Sequence, residues 1–355
     1  MSRLADPVAA PLPLAITMGD PCGIGPEIVA AQWRSQPPHA VVVGSCAVMQ
    51  RAAKALSAQG APLLQVRQVA SLLPNALAAC VPGDIPVWEP PGLPPGLDDL
   101  PWGQVHAQAG LAAAVCVRQG AHAVQQGLAR ALVTAPLHKE ALALAGEPFP
   151  GHTELLQALA TPVGQPLVPV RMMLANEALR VVLVSIHVSL RDALAAVTLG
   201  NVLQTIGIAH DSLRRMGIQA PRIAVAGLNP HAGEGGLFGS EEIEVIGPAV
   251  AQARQAGMDA SGPWAPDTVF MRARHAADKP GEFDVVVAMY HDQGLIPVKY
   301  LGVEEGVNVT LGLPFVRTSP DHGTAFDLAG TGRADPRSLQ AACRMALALT
   351  AAGPR

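Results

Sequence analysis

The sequence predicts an α/β protein built on a mainly parallel sheet, and three observations carry that expectation. Short apolar runs rich in Val, Ile and Ala alternate with helical stretches from Leu14 down to Leu313, the pattern of repeated βαβ units. Those runs are apolar throughout, as in strands that helices cover on both faces. Half of the 355 residues are hydrophobic but only 3% are aromatic, so the core is aliphatic.

The elements follow in order. Leu14–Met18 is a strand that breaks at Gly19-Asp20-Pro21-Cys22-Gly23, and a helix then runs from Pro26 towards Trp33. Val41–Gly44 is the second strand. Residues 81–103 are rich in Pro and Gly, which suits an irregular connection. A helical pattern covers Ala107 to Ala129 and leads to the strand Ala131–Thr134. Strands are expected at Val181–Ile186, Ile223–Gly227 and Asp284–Tyr290, and a terminal helix at Ser338–Ala351. A boundary is placed near Pro148-Phe149-Pro150 with a return near residue 305. This gives a first domain of residues 1–150 plus 305–355 and a second of residues 151–304.

Composition narrows the function. The net charge of −4 and the absence of a Lys/Arg cluster give no electrostatic case for nucleic acid. No stretch of about 18 uncharged apolar residues suggests a membrane span, and the N-terminus lacks a basic region followed by an apolar signal segment. Five cysteines without CxxC spacing are expected to be free thiols in a reducing cytoplasm.

Three histidines stand out: His187 in Ile-His-Val-Ser, His231 in Asn-Pro-His-Ala-Gly-Glu-Gly-Gly, and His291 in Met-Tyr-His-Asp-Gln. Each follows a strand-like run, and ligands of open parallel sheets collect at the carboxyl ends of strands. Three imidazoles delivered there would make part of a divalent-metal site with positions left open for substrate. Asp292 beside His291 is a candidate orienting carboxylate or general base, as is Asp267 in Ala-Pro-Asp-Thr. Lys139, at a strand's end and a helix's start, is the third candidate for proton handling.

Gly151-His152-Thr153-Glu154 opens a helix whose first-turn amides suit a phosphate or carboxylate. Lys299, Asn308 and Arg317 would suit a phosphate monoester, with Arg317 in the bidentate role. Asn229, Gly233 and Gly235 around His231 allow close backbone approach of a cofactor, and Asp321 and His322 offer a second Gly-containing turn for it. Gly19–Glu27 is neither G-x-G-x-x-G nor a P-loop, so a dinucleotide would have to be bound without that fingerprint.

Together these runs closely resemble the PdxA family, the 4-hydroxythreonine-4-phosphate dehydrogenases of vitamin B6 biosynthesis. The resemblance rests on ITMGDPCGIGPEI, TAPLHKEAL, PGHTE, GLNPHAGEGGLFGSEE, AMYHDQGLIPVKY and GVNVTLGLPFVRTSPDHGTAFDLAG, and it covers residues 14 to 330. It implies two α/β/α domains like those of isocitrate and isopropylmalate dehydrogenases, with a cleft between them, and a homodimer whose active site lies at the subunit interface. It implies His187, His231 and His291 as metal ligands drawn from both subunits, and His152, Thr153, Lys299, Asn308 and Arg317 as substrate contacts. The implied reaction is oxidation of 4-phosphooxy-L-threonine with NAD or NADP, aided by Zn2+, Mg2+ or Co2+, then decarboxylation to 3-amino-2-oxopropyl phosphate. Two branches act elsewhere, on threonate or erythronate 4-phosphates and on aromatic cis-dihydrodiols. The retained phosphate residues favour a phosphorylated substrate. Asp20 stands where many members have Glu.

Overall fold

The computed structural model describes residues 11–35, 38–60 and 62–351. The expectation for the extreme N-terminus lies outside them. The chain divides into two compact units, one running to Pro148 and including Thr324–Ala334, the other comprising Phe149–Gly323 and the segment from Asp335 onward.

The first unit carries strands β1 (Leu14–Thr17), β2 (Ala40–Val43), β3 (Gln65–Gln68), β4 (Asp84–Trp88) and β5 (Leu132–Thr134). They lie in the order β3-β4-β2-β1-β5, all parallel. Its helices are α1 (Gly25–Ala30), α2 (Gln32–Ser35), α3 (Cys46–Ser57), α4 (Ala107–Gln125) and α5 (Lys139–Leu144). Every residue of β1, β2 and β5 is buried, which is why these segments read as unbroken apolar runs. The Ser45 hydroxyl accepts a hydrogen bond from the Val48 N–H and sets the start of α3.

The second unit carries β6 (Arg171–Ala175), β7 (Arg180–Leu183), β8 (Ile223–Ala226), β9 (Ala260–Trp264), β10 (Val285–Ala288), β11 (Val307–Leu311) and β12 (Arg317–Pro320). Its helices are α6 (His152–Ala160), α7 (Leu190–Ala196), α8 (Leu199–Arg215), α9 (Gly247–Gln255), α10 (Val269–Ala273), α11 (His291–Tyr300) and α12 (Arg337–Thr350). Strands run in the order β12-β11-β6-β7-β10-β8-β9. The last four are mutually parallel, as expected. The other three are not: β6 is antiparallel to both β7 and β11, and β11 to β12. The β6–β7 link explains part of this, since the Asn176 side chain accepts from the Ala178 and Leu179 amides and closes a tight turn that only antiparallel neighbours permit.

That antiparallel block corrects the expected domain limits. Residues 305–355 do not return as a whole to the first unit. β11 is laced to β6, the Thr318 hydroxyl of β12 donates to the Ala342 carbonyl of α12, and only Thr324–Ala334 crosses back. Among the described residues, no single helix is long and apolar enough to cross a membrane.

Candidate active site

β7 and β10 are adjacent and parallel, with Leu183 beside Ala288, so the segments leaving them emerge side by side. His187 lies in the exposed turn after β7, and His291 is the first residue of α11 after β10. Their ring centroids are 5.6 Å apart. Two imidazoles on one tetrahedral ion, with metal–nitrogen distances of about 2 Å, place their ring centres about 5 Å apart, so this pair fits a shared divalent ion. His291 Nδ1 lies 2.7 Å from Asp292 Oδ1, which assigns its proton to that side and leaves Nε2 as the nitrogen that could hold an ion.

His231 follows β8, the other neighbour of β10. Its ring packs 6.3 Å from that of Phe238. Among the described residues of this single chain, no three His, Cys, Asp or Glu side chains converge as a metal site would require. Of the three expected ligands, one chain brings His187 and His291 together, and no third side chain of this kind joins them among the described residues. Gln293 couples the segments that carry His231 and His291: it accepts from the Met289 amide at the end of β10 and donates to the Gly227 carbonyl after β8, both at 2.7 Å.

A cavity of about 720 Å³ opens in the second unit, and His231, Asp267, Tyr290, Asp292, Gln293 and Tyr300 help to line it. It brings together both carboxylates singled out for proton handling and one of the histidines. Lys139 belongs to the first unit, where it is the exposed first residue of α5.

The turn bearing His231 is built in an unusual way. His231, Ala232, Gly233, Glu234 and Gly235 all have positive φ, between 43° and 79°. Beneath them lies Glu242, a carboxylate only 4% exposed. Burial alone would raise its pKa, but donors from Asn229, its own backbone and Leu228 hold it below the ordinary range. The side-chain amide of Asn229, the expected cofactor contact, donates to Glu241 Oε2 at 2.7 Å and Glu242 Oε2 at 2.9 Å.

Of the residues expected to face a phosphate, Asn308 lies on β11 and Arg317 begins β12. Continuing the antiparallel register, in which Asn308 pairs Ser319 and Val309 pairs Thr318, sets Thr310 opposite Arg317. Opposed residues and alternate positions share a face, so Asn308, Thr310, Arg317 and Ser319 lie on one side of the sheet. Arg317 is 3% exposed and donates to the Thr310 hydroxyl at 3.0 Å. Burial lowers its guanidinium to about 10, still charged at neutral pH. His152, the first residue of α6, has a buried Nε2 without a hydrogen-bond partner. Its pKa is well below the ordinary 6.5, first through burial and then through the charge of Arg317. His152 and Arg317 are thus near enough for the guanidinium charge to be felt at the imidazole, while Lys299 Nζ is 2.7 Å from Asp321 Oδ2. Asp321, the expected cofactor contact, is thus paired with Lys299, the expected substrate contact.

In the first unit, the break after β1 holds polar groups that the sequence pattern did not flag. Asp20 is fully buried, accepts from the Cys22 amide at 2.8 Å, and leaves Oδ2 without a partner. Burial raises its pKa to about 6. Gly19 precedes it at φ +77°, and a Cβ there would lie 2.5 Å from the Pro136 carbonyl, so only glycine makes this turn. His138 stacks on Phe326 at 4.8 Å, and the Glu27 carboxylate accepts from the amides of Gly330 and Gly332. The available signal was the position of these polar residues at strand ends.

Comparison with known proteins follows the same lines. A 4-hydroxythreonine-4-phosphate dehydrogenase of Beijerinckia indica is 52% identical over 335 residues, 93% of each chain. A D-threonate 4-phosphate dehydrogenase of Salmonella typhimurium is 46% identical, over 95% of this chain and 98% of its own. The crystal structure of a 4-hydroxythreonine-4-phosphate dehydrogenase from Klebsiella pneumoniae superposes with a TM-score of 0.83 at 43% identity, covering 95% of this chain and 99% of that one. These relatives are dehydrogenases, and the chain is an oxidoreductase acting on a CH–OH group. Residues 36–346 match the profile of the pyridoxal phosphate biosynthetic protein PdxA, and the chain belongs to that family.

Proposed function

We propose that this enzyme oxidises the C3 hydroxyl of 4-phosphooxy-L-threonine with NAD or NADP, in pyridoxal phosphate biosynthesis. The C3 hydrogen leaves as hydride to the nicotinamide and the hydroxyl proton passes to a base. The β-keto acid then loses CO2, and a proton taken up at the former α-carbon gives 3-amino-2-oxopropyl phosphate. The observation that carries this reading is the buried, charged Arg317 with Asn308 on the same sheet face and neutral His152 nearby. A guanidinium fork, an amide N–H and the N–H of a neutral imidazole are donors that suit the acceptor oxygens of a phosphate monoester.

A divalent ion, with Zn2+, Co2+ and Mg2+ as candidates, would polarise the reacting hydroxyl oxygen and stabilise the enolate left by decarboxylation. His187 and His291 of one chain would hold it, with His231 supplied by a second copy. Val188, Leu190, Leu237, Phe238 and Ile296, all exposed large hydrophobics close in sequence to these histidines, support a homodimer that covers them. Asp267 and Asp292 are the candidates for proton handling at the cavity. The free cysteines support work in a reducing cytoplasm.

A second reading, oxidation of D-threonate or D-erythronate 4-phosphate, is favoured by the 46% identity to the Salmonella enzyme. The deciding experiment follows NAD or NADP reduction with 4-phosphooxy-L-threonine and with both sugar-acid phosphates, with and without chelator. Faster turnover of the amino acid supports the first reading and faster turnover of a sugar acid the second. Preference for an unphosphorylated cis-dihydrodiol would overturn both.

A further inference from the structure

We propose that Glu242 is a positioning residue that holds the left-handed turn 230–236 in the conformation presenting His231. The proposal rests on the reading of His231 as a metal ligand. Six consecutive residues, His231 to Gly236, have positive φ, a conformation that is costly for every L-residue because its Cβ crowds the following carbonyl. Three of the six here, His231, Ala232 and Glu234, are not glycine. Such a turn persists only where its surroundings over-determine it.

The carboxylate of Glu242 supplies that determination. Its Oε1 accepts from the backbone amides of Leu228 at 2.6 Å and Asn229 at 2.7 Å, fixing the entry to the turn. Its Oε2 accepts from the Asn229 side chain at 2.9 Å, and a Cβ added at Gly233 would sit 2.8 Å from that same oxygen. The entry and the middle of the turn therefore close on one buried side chain. Glu242 itself begins a π-helical turn, Glu242–Ile246, before α9. A wider turn of this kind often marks a functional position. Here it is the first residue of that wider turn whose carboxylate reaches the His231 segment.

The test compares the full-length wild type with Glu242→Ala, Glu242→Gln and the exposed control Glu244→Gln. Hydrogen exchange without added metal is read over residues 228–238, and Co2+ or Zn2+ binding is measured by calorimetry on chelator-treated protein. Glu242→Ala is expected to speed exchange across the turn and to weaken metal binding roughly 10–100-fold, with circular dichroism and melting otherwise retained. Glu242→Gln keeps one acceptor for the two backbone amides and should fall between, which also serves if the alanine variant does not fold. Unchanged exchange across the turn in folded variants would overturn the proposal, as would exchange altered equally by Glu244→Gln. If the wild type bound no metal while Glu242 variants loosened the turn, the metal reading would fail and the role of Glu242 would stand.

Discussion

Lys299 Nζ and Asp321 Oδ2 form an ion pair at 2.7 Å, with the lysine side chain 42% and the aspartate side chain 12% exposed. Counting Lys299 and Arg317 as two charges for a phosphate dianion therefore overstates the attraction, because Asp321 offsets the first. Asp321→Asn is expected to lower KM for the phosphorylated substrate about fivefold, the effect of an exposed charge contact of about 1 kcal/mol, and to leave KM for NAD unchanged. A rise in KM for NAD alone would assign Asp321 to the cofactor.

For Arg317 the geometry sets up a different comparison. Arg317→Lys keeps a charge but loses the planar fork, so KM for the phosphorylated substrate should rise while NAD binding stays the same. Arg317→Ala should cost more, on the order of 2–4 kcal/mol in kcat/KM, because the phosphate would be left underpaired beside neutral His152. Steady-state kinetics on both variants checks this, and an unchanged KM in Arg317→Ala would remove the phosphate assignment.

Asp292 faces His291 directly, at 2.7 Å, and that contact separates its two candidate roles. As the carboxylate that orients a ligand, Asp292→Asn should weaken Zn2+ or Co2+ binding roughly 10–100-fold. As a general base, it should instead lower kcat by roughly 10²–10⁴ with metal affinity kept. The hydrogen bond favours the first outcome, which calorimetry on chelator-treated protein would show. His187→Ala and His291→Ala should each abolish chelator-sensitive turnover.

Much of this was legible in the sequence because burial leaves a simple mark. β1, β2, β5, β7, β8 and β10 are almost wholly buried, and each appears as an apolar run ending in polar or small residues. The histidines and Arg317 were legible as polar groups placed where such runs stop or begin. The antiparallel pairing of β11 with β6 was not, since pairing direction depends on the distant strand that lies alongside. Glu242 was also hidden: in Ser240-Glu241-Glu242 it reads as an ordinary acidic residue at a helix start, and only the fold shows it turned beneath His231. Asp321 was visible as a turn residue, but its partner Lys299 is 22 positions away across β11 and β12.

The first unit gives a prediction that is independent of substrate. Asp20 is fully buried and its pKa rises from the ordinary 3.8 to about 6, chiefly because burial penalises the charged form, although the Cys22 amide and the charges of His138 and His106 pull it down. The folded protein therefore holds this proton more tightly than the unfolded chain does. Its contribution to stability is fully present below about pH 4 and is lost as pH rises through about 6. Two pKa units correspond to ~3 kcal/mol, an upper figure for the whole effect. Asp20→Asn keeps a carbonyl oxygen for the Cys22 amide and cannot ionise, so it should match the wild type near pH 4 and exceed it in stability above pH 7. Urea unfolding at a series of pH values, read as the difference between variant and wild type, isolates this group from carboxylates such as Asp284 that titrate in the opposite sense. A difference that stays constant from pH 4 to pH 8 would show that Asp20 is ionised throughout, held by a partner that its buried, unpaired Oδ2 does not reveal.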